Sequence, residues 1–306
     1  MSAYVLRRLV GTVPVLFVAT TLAFLVLQLI PGDPVNLMLG GVPTSLELRE
    51  NLRKKLGLDR PLHIQYVTFI SRAVRGDLGV SFRTRQPVVE VIRQQLPATL
   101  ELAAGGMLIG VTFGMAMGVI AGIRPNSVVD TLMMLVAIVG ISIPGYWTAM
   151  MLIFIFGLKL GWVPIVGSGF PALILPSIVV GSFAVGDIAR LVRSSIVEVR
   201  NEDYIRTARA KGLPERRVIL RHALRNAMIP VVTLLGLQLG LFVGGGVITE
   251  TVFARQGIGK LLVDAILEKD YPIVQAIILM ITSAYVFANF AVDILYSILD
   301  PRIRYG

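Results

Sequence analysis

The chain contains no cysteine and few charged side chains. The absence of cysteine from its 306 residues excludes disulfide frameworks, cysteine-ligated zinc or iron–sulfur sites and thiol catalysis. Charged residues make up 16% of the chain, against about 25% in an ordinary soluble protein. Hydrophobic residues make up 55%, and the mean hydropathy is +0.77. This composition excludes an intrinsically disordered chain and indicates a membrane protein.

The motifs of nucleotide-dependent and metal-dependent enzymes are also missing. Residues 257–260 (Gly-Ile-Gly-Lys) continue with Leu261, so they lack the glycine spacing and the metal-binding hydroxyl of a phosphate-binding loop. Residues 167–172 imitate a dinucleotide fingerprint, but Pro171 lies inside an apolar run with no strand before it. With two histidines and no carboxylate cluster, the sequence offers no catalytic constellation or metal cage. We therefore expect this chain to bind no cofactor.

Six long runs contain no Asp, Glu, Lys or Arg. They cover residues 9–30, 102–123, 131–158, 160–186, 226–249 and 273–292. About 20 apolar residues span the hydrocarbon core of a bilayer, so the runs predict six transmembrane helices. Prolines and glycines interrupt the start of the fourth run, and we expect its helix to extend from near Leu173 to Arg193. The first run is too long for the apolar part of a signal peptide, so we expect a retained helix.

Basic residues predict the orientation. Six spans place both termini on one side of the membrane, and the short loops on that side carry 15 Lys and Arg residues, against four on the other. The segment 31–97 is left out because long segments cross the membrane largely regardless of charge. The positive-inside rule therefore predicts that both termini are cytoplasmic. Basic loops beside anionic lipid explain the net charge of +10 without a nucleic-acid partner.

Glycines and one proline predict how the spans pack. In the second span, glycine recurs every fourth residue, at Gly106, Gly110, Gly114, Gly118 and Gly122; in the fifth, it recurs at Gly236, Gly240 and Gly244. Such stripes let a neighbouring helix approach closely, and we interpret them as packing faces, with sliding during gating as the alternative. Pro144 at the centre of the third span predicts a kink.

Four ionisable residues fall within or near the spans. Asp187, Arg190 and Arg193 lie toward the cytoplasmic end of the fourth span, and Asp293 lies near the end of the sixth. A carboxylate inside a membrane is a candidate ion or proton site. Asp187 and Arg190 are three residues apart on one helix face, however, and they can pair with each other. We favour this structural interpretation.

The segment 31–97 has the pattern of a folded region. Thr44 and Glu47 form a capping-box pattern ahead of leucines at every fourth residue, and Gly57 ends this run. A second apolar run precedes Gly76. Two short amphipathic helices are predicted, either lying on the bilayer surface or forming a platform for an extracytoplasmic partner.

The most informative segment lies between the fourth and fifth spans. Asp203 is a predicted N-cap and Gly212 a predicted stop for a basic helix of about two turns, with Ala208 and Ala210 as small residues. Isolated helices this short are only marginally stable in water, so this helix must be supported by contacts with its own chain, with lipid or with another protein. Because it has no large apolar wedge for lipid, we favour insertion into a protein cleft.

The residues around this helix resemble a known family. Residues 193–232 are similar to the cytoplasmic loop of the membrane-spanning subunits of ABC importers for dipeptides, oligopeptides, nickel and glutathione. The resemblance extends over nearly the whole chain, through residues 7–8, 31–34, 56–61, 65–66, 76–79, 250–253, 257–259, 270–272 and 300–305.

The resemblance implies a coupling helix that docks into a groove of an ATP-hydrolysing subunit. The residues it assigns to this role are Asp203, Tyr204, Arg206, Thr207, Ala208, Ala210, Lys211 and Gly212. The general importer motif has Glu-Ala-Ala, three residues and Gly here, whereas this chain has Arg206 in place of the Glu. The role of that Glu is therefore not transferred, but docking through the small residues Ala208, Ala210 and Gly212 is.

The resemblance also implies the fold, the partners and the function. We expect an all-α membrane protein with a six-helix bundle like that of type I ABC importer permeases, in a bacterial cytoplasmic membrane. The expected parts are the first span at 1–30, a folded extracytoplasmic segment at 31–97, a five-helix core at 98–298 with its cytoplasmic coupling loop at 194–228, and a cytoplasmic tail at 299–306.

The expected partners are a homologous permease, two ABC ATPase subunits that bind ATP and Mg²⁺, and an extracytoplasmic solute-binding protein. The expected function is ATP-driven import of di- or oligopeptides or glutathione by alternating access, performed by a subunit that is not itself an enzyme. Three alternatives stay open: a nickel importer of the same family, a secondary transporter that uses Asp187 or Asp293 for ion coupling, and a membrane-anchored scaffold. The substrate is not predicted more finely.

Overall fold

The computed structural model describes residues 2–29, 35, 39, 44–167 and 169–299. Within these residues the chain is helical, and its only β-type pairing is one bridge between Val80 and Pro87. The described α-helices are α1 (Ser2–Leu29), α2 (Leu46–Leu56), α3 (Leu62–Val74), α4 (Val88–Ile123), α5 (Val128–Ser142), α6 (Gly145–Leu152), α7 (Phe170–Val199), α8 (Asp203–Ala210), α9 (Glu215–Arg217), α10 (Leu224–Gly245), α11 (Val247–Val252), α12 (Ile258–Leu267) and α13 (Tyr271–Leu299). Two π-helical segments, Ile153–Lys159 and Val218–Ala223, continue α6 and α9.

Three described helices are long and apolar enough to cross a membrane. They are α4, α7 and the Tyr271–Val292 part of α13. Helix α5 and the following Gly145–Lys159 segment pass the same test together, although they are bent by 98°. The apolar part of α1, Gly11–Leu25, is shorter. The prediction of a helical, multi-span membrane protein is confirmed at this level, and the count of six spans stays a prediction.

The third predicted span is broken rather than kinked. Helix α5 ends at Ser142, Ile143 adopts an extended backbone, and Pro144 occupies the N-cap position of α6. A proline restricts the residue before it to extended conformations, so it ends one helix and begins the next. The bend predicted at Pro144 is present, but it interrupts the helix instead of only kinking it.

The predicted start of the fourth span is also corrected. Helix α7 begins at Phe170, with Pro171 in its first turn, rather than near Leu173. The first turn tolerates proline because its N–H groups have no helical partner. The helix then continues past Arg193 to Val199.

The chain divides into two compact units, of which the first comprises residues 99–255 and the chain from 285. The centre of this unit is the seam between α4 and α7. A Cβ added at Gly106, Gly110, Gly114, Gly118 or Gly122 would lie 2.5–2.9 Å from the nearest side-chain atom of Val180, Ala184, Ile188, Val192 or Ile196, respectively. The glycine stripe is thus a packing face on which the two helices meet at close range.

The second glycine stripe packs on α13. A Cβ on Gly240 would approach Tyr285 and Ala288, and one on Gly236 would overlap Val292. The packing of Gly244 lies outside the described residues. Helix α10 also lies against α7, since Ala227, Val231 and Phe242 join the core between α4 and α7. Pro176 is buried within α7.

The second unit comprises residues 2–98 and 256–284. Helix α3 packs on α1 through Phe24, whose ring lies 5.3 Å from Tyr66 and 6.2 Å from Phe69. Asp270 is buried and fixes the 81–83 loop, because its carboxylate accepts hydrogen bonds from the Ser81 hydroxyl and from the N–H groups of Phe82 and Arg83.

The two helices predicted between residues 44 and 76 are present in this unit as α2 and α3. Ser45, not Thr44, caps α2, since its hydroxyl accepts from the N–H of Leu48. The Thr44 hydroxyl accepts from the Arg49 side chain instead. Gly57 ends α2 in a left-handed conformation, as predicted. The motif at residues 31–34 lies outside the described residues.

Candidate functional site

The loop between α7 and α10 carries the candidate site. Helix α8 begins at Asp203, and Glu202 occupies the N-cap position with an extended backbone. No side chain caps this end of the helix. The prediction that Asp203 is the N-cap is therefore wrong by one residue. As the first residue of the helix, its carboxylate instead favours helix formation through the helix dipole.

Helix α8 ends at Ala210, two residues before Gly212, the predicted stop. Gly212 has a φ of 74°, a left-handed conformation that costs glycine nothing. The N–H of Gly212 donates to the Arg209 carbonyl, and the N–H of Leu213 donates to the Ala208 carbonyl. These two bonds form a Schellman motif, which stops the helix and turns the chain back.

The chain itself supports this short helix. Ile205 and Ala208 are buried, and they pack in a small core with Val218 and Ala223 of the π-helical segment. Partly buried Val199 and Leu213 complete this core. Of the three supports that the sequence left open, the described structure shows the chain's own loop.

Ala208 therefore has a different role from the one predicted for it. The resemblance implied that Ala208 docks on a partner, but its side chain is turned into the loop core. Its small size lets α8 lie close to the π-helical segment. A larger or charged residue here would disrupt the loop before it could affect docking.

The opposite face of α8 is exposed. The other predicted docking residues all lie on this surface: Asp203, Tyr204, Arg206, Thr207, Ala210, Lys211 and Gly212. The Arg206 guanidinium lies 3.6 Å from the Asp203 carboxylate, and both side chains are largely solvent-accessible. The exposed face thus combines basic groups with small side chains, a surface that a groove in another protein can cover.

Arg209 fastens the end of α8 to α9. Its guanidinium donates from Nε and Nη2 to the two carboxylate oxygens of Glu215, at 3.0 and 2.8 Å. Nη1 also donates to the carbonyl of Arg200 at 3.4 Å. The hydrogen bonds from Arg209 hold the pKa of the Glu215 carboxyl below its ordinary value, against a smaller opposing effect of desolvation. The pair closes the turn through Leu213 and Pro214.

Two arginines tie the base of this loop to neighbouring helices. Arg193 near the end of α7 makes a two-point ion pair with Asp130 in the first turn of α5, with distances of 2.5 and 2.7 Å. Arg200 donates to the carbonyls of Gly122 and Ile123 at the end of α4, at 3.2 and 2.6 Å. These carbonyls have no helical partner. These contacts connect the base of the loop to α4 and α5.

The sequence reasoning missed most of this support. Ile205 is the only large aliphatic residue in the eight residues of α8, and this could have identified the buried face. Arg209 and Glu215 are opposite charges on either side of a Gly-Leu-Pro turn, which is a readable sign of a closing ion pair. Nothing local pairs Arg193 with Asp130, because 63 residues separate them.

Comparisons with known proteins extend over the whole chain. Residues 110–305 match the family described as binding-protein-dependent transport system inner membrane component, and residues 1–103 match the N-terminal region of such components. The glutathione transport system permease protein GsiC of Escherichia coli O6:H1 is 45% identical over 306 residues, covering 100% of both chains. Its counterpart in Escherichia coli K12 is 44% identical over the same length.

Solved structures share the fold. An inward-facing structure of the MetNI methionine ABC transporter matches with a TM-score of 0.59 at 18% identity, covering 70% of this chain and 98% of that one. An amino acid ABC transporter solved with histidines matches with a TM-score of 0.50 at 16% identity, covering 70% of this chain and 94% of that one. These identities are too low to support more than the fold.

The family match confirms the resemblance noted in the sequence. Its members are membrane-spanning subunits of ABC importers, which work with ATP-hydrolysing subunits and a solute-binding protein, so this chain is a transport subunit and not an enzyme. The multi-pass, inner-membrane character predicted from the apolar runs agrees with this assignment. The chain therefore belongs to the family of inner membrane components of binding-protein-dependent transport systems.

Proposed function

We propose that this chain is one of two permease subunits of an ATP-driven importer for glutathione or similar short peptides. The support for this substrate class is the full-length identity of 44–45% to the glutathione permeases. These relatives favour glutathione over nickel as the solute. The second permease subunit is a homologous chain, and the solute arrives on a separate extracytoplasmic binding protein.

The observation that carries the mechanism is the two-sided character of α8. One side is satisfied inside the loop by Ile205 and Ala208, whereas the other remains exposed. We propose that the exposed side docks in a groove of an ATPase subunit. The arginine contacts at the base of the loop then carry the motion of the ATPase into α4, α5 and α7.

Alternating access follows from this linkage. When ATP brings the two ATPase subunits together, the docked helices of both permeases move with them, and the bundle exchanges an inward opening for an outward one. ATP can drive this exchange only by binding one of the two states more tightly. ATP and Mg²⁺ are bound by the partner subunits, and none of this chain's residues is assigned to them.

The proposed topology has six spans with both termini in the cytoplasm. It is supported by the six charge-free runs and by the excess of basic residues in the short loops on one side. In this arrangement α5 and the Gly145–Lys159 segment make up one broken span, and α8 faces the cytoplasm. The segment 31–97, with α2 and α3, lies outside, where the binding protein delivers the solute.

Uptake into reconstituted vesicles tests the proposal. The complete transporter, with both permeases, both ATPases and loaded binding protein, is expected to accumulate labelled glutathione only with ATP. Vesicles without the ATPase subunits are the control. Uptake driven by an ion gradient in those vesicles would support a secondary transporter instead, and uptake of Ni²⁺ but not glutathione would support the nickel alternative.

A pair of bulky substitutions tests docking. Thr207→Trp places a large ring on the exposed face of α8, whereas Val128→Trp does so at another exposed position at the start of α5. Only Thr207→Trp is expected to reduce co-purification of the ATPase subunits, while both variants still insert into the membrane. Equal co-purification by the two variants would refute docking on this face.

A further inference from the structure

Helix α7 carries a polar stripe that stays partly exposed among the described residues. Asp187, Arg190 and Ser194 follow at three- and four-residue intervals, so they lie on one helix face. Other faces of α7 are buried by the glycines of α4 and, at Gly186, by α5, while α10 contacts the stripe through Gln238, which donates to Asp187. Arg190 and Ser194 are exposed in the single chain, and the Asp187 side chain is 38% exposed.

The stripe begins deep in the bundle rather than at its edge. Ile188, the residue after Asp187, packs against Gly114, which lies nine residues before the end of α4, or roughly 14 Å along the helix. Gln238, which donates to Asp187 at 3.1 Å, lies 14 residues into α10, or roughly 21 Å from its start. Both neighbours place Asp187 well inside the spans.

At this depth the stripe cannot face lipid at low cost. Charged side chains inside a membrane almost always face a water-filled cavity or another protein surface. The Arg190 side chain is 52% exposed, and it lies one turn deeper than Arg193, which pairs with Asp130 in the first turn of α5. Asp187 and Arg190 are therefore suited to a water-filled interior of the assembled transporter.

The Arg190 guanidinium has N–H donors that Asp187 does not occupy. Its Nη2 donates to Oδ1 of Asp187 at 2.8 Å, while Oδ2 of Asp187 accepts from Gln238. Asp187 is thus satisfied on both oxygens, and it is the one partner of the Arg190 guanidinium among the described residues. A guanidinium has five N–H donors in a planar fork that fits a carboxylate, so Arg190 can hold Asp187 and a solute carboxylate together.

We propose that Arg190, positioned by Asp187 and Gln238, binds a carboxylate of the peptide-like solute as it crosses the translocation pathway. This inference rests on the proposed function, since glutathione and free peptides carry carboxylates. Binding of the solute at this site is transient, because Asp187 stays paired with one side of the guanidinium and the solute carboxylate replaces only water on the other side. Ser194 lines the same water-filled surface one turn nearer the cytoplasm.

Cysteine accessibility tests whether the stripe faces water. Because the chain has no native cysteine, Ser194→Cys introduces a single thiol into this subunit. Val136→Cys is the matched control, since Val136 is 58% exposed on α5 without polar neighbours on its face. In the complete transporter, a charged methanethiosulfonate reagent is expected to modify Ser194→Cys at least about tenfold faster than Val136→Cys, because the thiolate reacts only where water reaches it.

Solute protection and uptake test the site itself. Excess glutathione on its binding protein, with ATP, should slow the modification of Ser194→Cys. Arg190→Gln should lower maximal glutathione uptake about tenfold, and Arg190→Lys should retain an intermediate rate. ATP hydrolysis should continue in both variants.

Three results would overturn the inference: equal labelling of the two cysteines, no protection by glutathione, or wild-type uptake by Arg190→Gln. If Arg190→Gln does not assemble, the labelling of Ser194→Cys and its protection by glutathione test the inference instead, because Ser194→Cys is a conservative substitution. Wild-type vesicles separate this inference from the proposed function. Absence of glutathione uptake by the wild type refutes the proposed substrate, whereas normal wild-type uptake together with unchanged Arg190→Gln uptake refutes the site alone.

Discussion

Truncation of Ile205 should release helix α8 from the loop without touching its exposed face. Ile205 is fully buried, and Ile→Ala substitutions in cores cost about 2–5 kcal/mol. Because the loop core is small and can partly collapse, we expect the lower limit of about 2 kcal/mol. That loss raises the population of the detached helix about 30-fold. A helix of eight residues has almost no stability of its own, so nothing compensates.

Hydrogen exchange of the purified permease pair measures this effect. In Ile205→Ala, the amides of residues 205–213 should exchange about 30-fold faster than in the wild type, while those in α7 should be unchanged. The exchange rate in Ile205→Val should lie between those of the wild type and Ile205→Ala, because this substitution costs about 1 kcal/mol. Thr207→Ala, on the exposed face, should leave exchange nearly unaltered. Wild-type exchange in Ile205→Ala would refute the conclusion that the loop core holds α8 in place.

Three further predictions concern other contacts. Gly118→Ala should destabilise the purified transporter by about 1–3 kcal/mol, because its Cβ would lie 2.6 Å from Val192 on the facing helix. The control Gly140→Ala should have little effect, because its Cβ would lie 3.6 Å from the nearest atom. Equal melting temperatures of the two variants would contradict this prediction. Arg193→Ala should cost about 3 kcal/mol, because it leaves the Asp130 carboxylate buried without its partner, and a melting temperature like that of the wild type would contradict it. Since the folded-state pKa of Glu215 is lowered, the stability that its carboxylate contributes is present at pH 7 and is lost as pH falls below the ordinary carboxyl value of about 4.3. Glu215→Gln should therefore remove this part of the acid sensitivity of α8, measured by hydrogen exchange. An unchanged pH profile in this variant would contradict the prediction.

Local patterns in the sequence predicted the features that depend on local chemistry. Gly212 ends α8 because the turn needs a positive φ, and Gly57 ends α2 for the same reason. The glycine stripe identified one face of the second span, since a four-residue repeat stays on one side of a helix. The family resemblance was readable from ordered motifs along the chain and did not depend on knowing the fold.

Contacts between distant segments were not readable in this way. The stripe shows that a helix packs on it but not that the helix is α7, and no local signal pairs Asp130 with Arg193. Ala208 illustrates a different limit. A small residue is favoured both where a partner docks and where the chain packs on itself, and only the fold shows that Ala208 faces inward.

Pro144 shows a third limit. Proline forbids a regular helix through its position, which predicted a disturbance of the span but not its angle. The angle of 98° depends on where α6 finds its packing partners. These are Leu175 and Val179 of α7 together with Phe253, which form a core around Ala149.

Site-specific photo-crosslinking tests the central claim most directly. A photoreactive amino acid at Thr207 on the exposed face of α8, and another at Leu267, an exposed position on α12, are compared in the complete transporter. We predict that Thr207 captures an ATPase subunit and that Leu267 does not. Capture at Leu267, or none at Thr207, would contradict the account in which α8 couples this permease to ATP hydrolysis.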